Sequence, residues 1–406
     1  MTRRLLAALF LLVPLAPVAR ASVEEFSTYQ LAAMESDDEN FLDHWLARVP
    51  DGWHREFDAA TGAFRTSQGC YTSGEWYMRH DLKARAPIGA TSWLDIGYLQ
   101  VNDNMASWQW LQLDFRWRTR RAGTFGFRFQ PTPDKSQQDF AALWDWGAPG
   151  DRLQVGATFT LEDAFNSLWE FRQARVGNPS EPYRAHPREP ALRIASEGAR
   201  HRVELTGKWL TPSRKEIRDP DPSKYGSSSL LGSKAALLAQ YSFSRWGAEG
   251  RFETEQVRSS ETTVLLPGDG YQFRRRWRGE AALRRELAGT WSAEARGAYQ
   301  DRTQNWRPPP GPATFRALDR GLAFEVAGEP AKEWRLRVGV MHDRVGVGHL
   351  PVQGWGARKE SRAYVGLEAR FGRVRVQGIE GIELDHESYE VTFHHDKGFL
   401  QLQTVF

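Results

Sequence analysis

The chain has 406 residues, one cysteine, 12% aromatic and 26% charged residues, and a formal charge of +3. The lone Cys70 excludes an internal disulfide framework, a CxxCH haem site and a four-thiolate metal site. The charge excess sits in residues 1–21, which carry Arg3, Arg4 and Arg20 and no acid. Without them the chain is formally neutral, so its charge gives no footing for nucleic acid.

Residues 1–21, MTRRLLAALFLLVPLAPVARA, read as a signal peptide: a basic start, an apolar run from Leu5 to Val18, and Ala19-Arg20-Ala21 in small-x-small spacing. Pro14 and Pro17 break the run, which is shorter than the roughly 20 residues of a membrane-spanning helix. A mature chain from Ser22 is expected. Residues 22–55 form a separate arm. Ser36 and Glu39 stand in capping-box spacing, Asp37 and Asp38 fill the first turn, Arg48 the last, and Pro50 follows. This predicts one short helix over 37–48 with Phe41, Leu42, Trp45 and Val49 on its apolar side.

From residue 56 to 406 the pattern changes to period two, with aromatics on one side and charges on the other. In WQWLQLDFRWRTR, Leu111, Leu113, Phe115 and Trp117 oppose Asp114, Arg116, Arg118 and Arg120. TFGFRFQ sets Phe125, Phe127 and Phe129 against Arg128. YQFRRRWRGEA sets Tyr271, Phe273 and Trp277 against Arg274, Arg276 and Arg278. WSAEARGAY sets Trp291, Ala293, Ala295 and Tyr299 against Glu294 and Arg296, and WRLRVGV sets Trp334, Leu336 and Val338 against Arg335 and Arg337. No apolar stretch beyond the first segment approaches 18 residues. Repeated alternation with aromatics at strand ends is the signature of a membrane barrel, apolar outside and wet inside. A mid-bilayer Arg on the lipid side costs roughly 2–4 kcal/mol, so the arginines belong inside.

The connections alternate. Short turns read at 86–90, 120–123, 147–151, 196–200, 244–247, 285–289, 327–332 and 371–373. Longer polar segments read at 131–138, 163–189, 212–232, 258–270, 301–318 and 344–360, with a brief one at 102–106. Tight turns at one end and long loops at the other predict an all-β, antiparallel, up-and-down transmembrane barrel of about 18 strands, with 16 as the alternative. The first two strands fall within 56–70 and about 74–85. The outer turn between the last two falls either at 384–388 or at Asp396-Lys397-Gly398.

The chain ends FLQLQTVF, in which Leu400, Leu402 and Phe406 alternate with Gln401 and Gln403. Such a strand can close on the first and remove the open edge that lipid does not tolerate. A last strand ending on Phe406 resembles the sorting signal of Gram-negative outer-membrane β-barrel proteins, porins among them. The resemblance implies outer-membrane lipid surroundings and recognition of Phe406 by the barrel assembly machinery.

Function is read from the inner wall. Asp114, Arg116, Arg118, Arg128, Glu253, Arg274, Arg276, Arg278, Glu294, Arg335, Arg337, Arg373 and Arg375 face inward by parity. They point to a channel for small polar or anionic solutes through an Arg-lined lumen. In the alternative, the charges pair across a narrow lumen and the barrel is a non-conducting scaffold or sheath for an electron carrier or export assembly. Thr160 and Asp163 in capping-box spacing, with Phe165, Trp169 and Arg172 at helical spacing, give 160–190 as a candidate constriction or an external lid. The arm 22–55 reads as a periplasmic cap at the barrel mouth, with a lumen plug or a dock for a periplasmic partner as alternatives. His386-Glu387-Ser388 is the one esterase-like triplet, but it lacks a following Asn-Gly and faces away from lipid. No enzyme, metal or cofactor is expected; His394-His395 beside Asp396 reads as a solvated pair.

Overall fold

The computed structural model describes residues 59–70, 76–103, 107–131, 137–147, 151–166, 183–217, 225–263, 270–307, 313–350, 355–384 and 395–406, with Leu42, Trp45, Trp53, Glu56 and Phe57. Segment 1–21, the capping box at 36–39, Trp169, Arg172, His386-Glu387-Ser388 and His394 lie outside the described residues.

The alternating segments form strands β1 (Gly62–Cys70), β2 (Trp76–Pro87), β3 (Ser92–Asp103), β4 (Ser107–Arg118), β5 (Thr124–Gln130), β6 (Gln137–Trp146) and β7 (Leu153–Asn166). They continue with β8 (Tyr183–Ala185), β9 (Arg188–Glu197), β10 (His201–Ile217), β11 (Gly226–Phe243), β12 (Trp246–Thr263) and β13 (Gly270–Glu286). The last six are β14 (Ser292–Arg307), β15 (Ala313–Ala331), β16 (Trp334–Leu350), β17 (Trp355–Phe371), β18 (Val374–Glu383) and β19 (His395–Val405). Both β8 and β9 run along β10, and β9 also pairs with β7, so these two form one broken stave. The 19 segments therefore make eighteen staves, all antiparallel.

The sheet closes. β19 pairs with β1 from Val405 opposite Ala63 to Phe399 opposite Gly69, and the Phe406 N–H donates to the Gly62 carbonyl at 3.0 Å. Outward positions carry exposed apolar side chains such as Leu322, Phe324, Val338, Val340, Val365 and Leu367, while inward positions on the same strands carry buried Glu325, Arg337 and Arg362. That inside-out distribution suits a sheet whose outer solvent is hydrocarbon. Aromatics border the apolar band: Trp291 and Trp334 near the turns, Trp277 and Tyr299 further along, with Trp334 edge-on to Phe371 at 5.8 Å.

All eight short turns connect strands at one end of the barrel. The tightest, at Ser244-Arg245, Lys332-Glu333 and Gly372-Arg373, bridge hairpins with two residues; Ser244 takes φ 52° and Gly372 φ 62°, the left-handed conformation such turns use.

The other end departs from expectation. Much of 212–232, 258–270, 301–318 and 344–360 is strand rather than loop, because β10 to β17 each span 16–19 residues, beyond the roughly 9–11 that cross a bilayer. Polarity on both faces looked like loop. Outside hydrocarbon, however, a strand keeps its ladder with polar residues on both sides, as where Ser229 meets Ser260 at 2.7 Å and Arg316 holds Asp301 at 2.7 Å. Likewise β7 runs to Asn166, so Thr160 and Phe165 are strand residues, not a helix cap and its first turn; Thr160 and Glu162 continue the buried inner face. Asp396-Lys397-Gly398 belongs to β19 and is no turn.

One inner position shows how little slack the wall has. A Cβ on Gly339 of β16 would stand 2.4 Å from the Tyr364 ring and 2.7 Å from the Phe324 carbonyl oxygen. Tyr364 lies over this bare backbone as a substitute side chain. Gly339→Ala is expected to cost about 1–3 kcal/mol by overpacking, whereas Gly250→Ala, where a Cβ meets nothing within 4 Å, leaves stability unchanged. Urea unfolding of both variants in phospholipid vesicles checks this.

Candidate functional site

The pleat aims every second residue of each stave into the lumen, and those positions hold most of the charge. Asp114, Arg116 and Arg128 are buried on β4 and β5; Arg274 and Arg276 are buried on β13, with Arg278 half-buried; Arg337 is buried on β16. Glu253, Glu294, Arg335 and Arg375 are half-buried on the same inner face. Arg118 ends β4 at the turn-side rim, exposed, its guanidinium 5.8 Å from the centre of the Trp93 ring. Arg373 does not line the wall: although its parity matches Arg375, it sits exposed in the two-residue turn between β17 and β18, before the first strand residue Val374. Phe165 pairs with Gln138 in β7.

The charges pair sideways, along the wall, between neighbouring staves. Arg128 donates to Asp114 at 2.9 and 3.2 Å, and Asp114 also accepts from Arg116 at 3.1 Å. Arg116 reaches past β5 to Asp145. Arg193 grips Glu204 with two bonds of 3.0 Å, Arg337 grips Glu325 at 3.0 and 2.8 Å, and Arg362 meets Asp343. Such two-pronged guanidinium contacts are the strong geometry for an ion pair. Because the pairs lie in the plane of the wall, they brace the staves rather than bridging the lumen.

One sector breaks the balance. Around the wall, Lys234 on β11 stands opposite Glu255 on β12, Glu255 opposite Arg276 on β13, and Arg276 opposite Arg302 on β14. Arg274 and Arg278 flank Arg276 on its own strand. Glu255 accepts from Arg276 at 2.9 Å, and Glu253 takes Arg276 and, at 3.2 Å, Lys234. Arg278 donates to Gln300, which passes a 2.8 Å bond on to Asp319. Two guanidinium groups directly opposite on one face repel, and here Arg276 and Arg302 stand so. Arg302 escaped the sequence reading because it lies in 301–318, taken for a loop, and Lys234, just past 212–232, was not singled out; the parity of Glu294, Arg296, Ala298 and Gln300 carries on to Arg302 and was the available signal.

The other half of the wall receives the N-terminal arm. Leu42 and Trp45, one helical turn apart, are buried in a cluster with Tyr77, Met341, Tyr364, Ile379 and Phe399. The small inner residues make room: a Cβ on Gly321 would stand 2.9 Å from Trp45 and 3.0 Å from Leu42. Arg296 lies 5.2 Å above the Trp45 ring and donates to the Tyr364 hydroxyl at 3.0 Å. Further along, the Trp53 carbonyl accepts from Gln403 at 2.9 Å, the Phe57 carbonyl from Lys83 at 3.3 Å, and Glu56 pairs with Arg375. All these wall residues are inward by parity, so the described part of the arm lies along the lumen side of β14–β19 and β1–β2.

No protein-family model matches the chain, and no curated protein does. Among solved structures, it is similar to a bacterial polysaccharide outer membrane secretin, at 9% identity over 86% of this chain and 99% of that one, with a TM-score of 0.42. It is similar to OccK2 of Pseudomonas aeruginosa in complex with glucuronate, at 10% identity over 85% and 97%, TM-score 0.42. It is also similar to CdiB from Acinetobacter baumannii, at 9% identity and TM-score 0.42, covering 84% of this chain and spanning 59% of that one. The closed sheet, apolar outside and polar inside, is the architecture of an outer-membrane β-barrel.

Asp114 is the shared acceptor of two arginines and is fully buried. Asp114→Asn is therefore expected to destabilise the barrel by about 1.5–3 kcal/mol, the worth of hydrogen bonds to a charged group, read as a lower urea midpoint with an unchanged slope.

Proposed function

We propose that the chain is an outer-membrane channel for small polar and anionic solutes, narrowed from within by its N-terminal arm. Eighteen staves enclose a lumen of porin size. The ion pairs named above run along the wall, between neighbouring or next-neighbouring staves. The observation that carries the reading is the row Lys234, Glu255, Arg276, Arg302, with Arg274 and Arg278 beside it. A local excess of fixed cations on a low-dielectric wall attracts anions and sets selectivity.

A second reading, a non-conducting scaffold, is favoured by a different observation: Leu42, Trp45 and the Glu56–Arg375 pair fasten the arm along half of the wall.

Uptake into proteoliposomes separates the two. The intact chain is expected to admit gluconate faster than N-methylglucamine, and Arg278→Gln with Arg302→Gln to reduce that ratio several-fold in a barrel that still folds. An unchanged ratio contradicts the proposed role of the sector. A folded barrel that admits neither solute supports the scaffold.

A further inference from the structure

The inner wall pairs its charges, whereas one stretch of the short-turn rim leaves its arginines without acids. Three neighbouring hairpins, β9–β10, β11–β12 and β13–β14, are tied together there by backbone bonds. The Ser242 N–H donates to the Arg200 carbonyl at 2.7 Å, and the Glu286 N–H to the Arg245 carbonyl at 2.7 Å. Each hairpin brings an exposed arginine to the rim: Arg200, Arg245 and Arg285. Inward arginines on the same staves are matched by acids, Arg202 by Glu204 at 3.2 Å and Arg251 by Glu249 at 2.8 Å. Among the described residues, the side chains of Arg200, Arg245 and Arg285 enter no salt bridge.

Parity divides this rim between lumen and lipid. Glu197 shares the inner face with Arg193, and Glu286 stands opposite the buried Ser292, so both acids have inward parity. Arg285 shares the outer face with the exposed Leu283, while Arg200 and Arg245 lie in the turns themselves, outside the pleat. Trp246 faces Arg285 across the ladder, and the guanidinium carbon lies 5.0 Å from the centre of the indole ring. Phe243, exposed, faces Trp246 from β11. A lipid-side arginine is tolerated at the interface but not at the bilayer middle, and tryptophan marks the same level. The three cations therefore stand where lipid head groups lie. Cations at the rim with apolar and aromatic residues beside them describe a ligand with an anionic head and apolar chains. Guanidinium groups take phosphate oxygens two at a time, and clustered arginines at a membrane surface attract anionic lipid.

We propose that the rim at Arg200, Arg245 and Arg285 is a binding site for an anionic phospholipid. The guanidinium groups hold its phosphate, and Phe243, Trp246 and Leu283 lie against its acyl chains. The site is separate from the lumen and independent of whether the lumen conducts.

The test is native mass spectrometry of the full chain in detergent, given equal amounts of phosphatidylglycerol and phosphatidylcholine of the same acyl length. The intact chain is expected to retain phosphatidylglycerol several-fold over phosphatidylcholine. Arg245→Gln with Arg285→Gln is expected to reduce that preference several-fold. Arg258→Gln removes an exposed arginine 5.3 Å from the Phe273 ring, toward the opposite end of β12, and is expected to leave the preference unchanged. Heat-modifiable mobility confirms that the variants fold. No preference in the intact chain, a preference unmoved by the double substitution, or an equal fall in Arg258→Gln overturns the proposal. So does displacement of the lipid by soluble glycerol phosphate at matched concentration, which makes the rim a site for free phosphate esters.

Discussion

Everything in this molecule follows from the refusal of hydrocarbon to solvate a peptide group. A spanning sheet with a free edge would leave a row of N–H and C=O groups in lipid, at several kcal/mol each, so the ladder between β19 and β1 is the bond on which the barrel depends. Once the sheet is closed, each strand has one face toward lipid and one toward the lumen. The period-two pattern then assigns every side chain its solvent. Arginine goes inside because the other choice forbids insertion, and Leu, Val and Phe go outside although a water-soluble protein would bury them.

Putting so many ions inside creates a second problem, which the wall solves locally. Arg128 stands directly opposite Asp114, while Arg193 and Arg337 reach diagonally to Glu204 and Glu325, each two residues from the position they face. Opposite and diagonal cross-strand neighbours, roughly 4.5–8 Å apart and within reach of long side chains, are the natural unit of sheet stabilisation, and here that unit is an ion pair. Where small residues replace ions on the inner face, at Ala298, Gly321, Ala323 and Gly339, the wall is hollow enough to seat Leu42, Trp45 and the Tyr364 ring. Tyr77, Ile379 and Phe399 belong to the same buried cluster as Leu42 and Trp45.

Much of this was legible in the sequence. The turns were readable because two- to six-residue hairpins need Gly, Pro or a left-handed residue, and Gly123, Gly289 and Gly372, all at positive φ, punctuate the chain at that end. Strand count followed from the turns. Inward residues were readable wherever an aromatic marked the opposite face, as for Arg128 between Phe127 and Phe129. They were missed where no aromatic did so. Arg302 lies beyond Tyr299, where both faces turn polar because the stave has left the bilayer, and polarity on both faces carries no parity. The same loss of contrast made strand look like loop in β10–β17 and made Thr160 look like a helix cap. Pairing direction was not legible at all: whether Arg337 reaches sideways to Glu325 or across the lumen depends on register, which the sequence does not encode locally.

The central claim, an open polar lumen with an electropositive sector, is tested most directly by single-channel recording of the full chain in a planar bilayer under a potassium chloride gradient. The account predicts discrete, steady openings and a reversal potential on the chloride side. A heat-resistant barrel that leaves the bilayer silent, or one that prefers potassium, contradicts it.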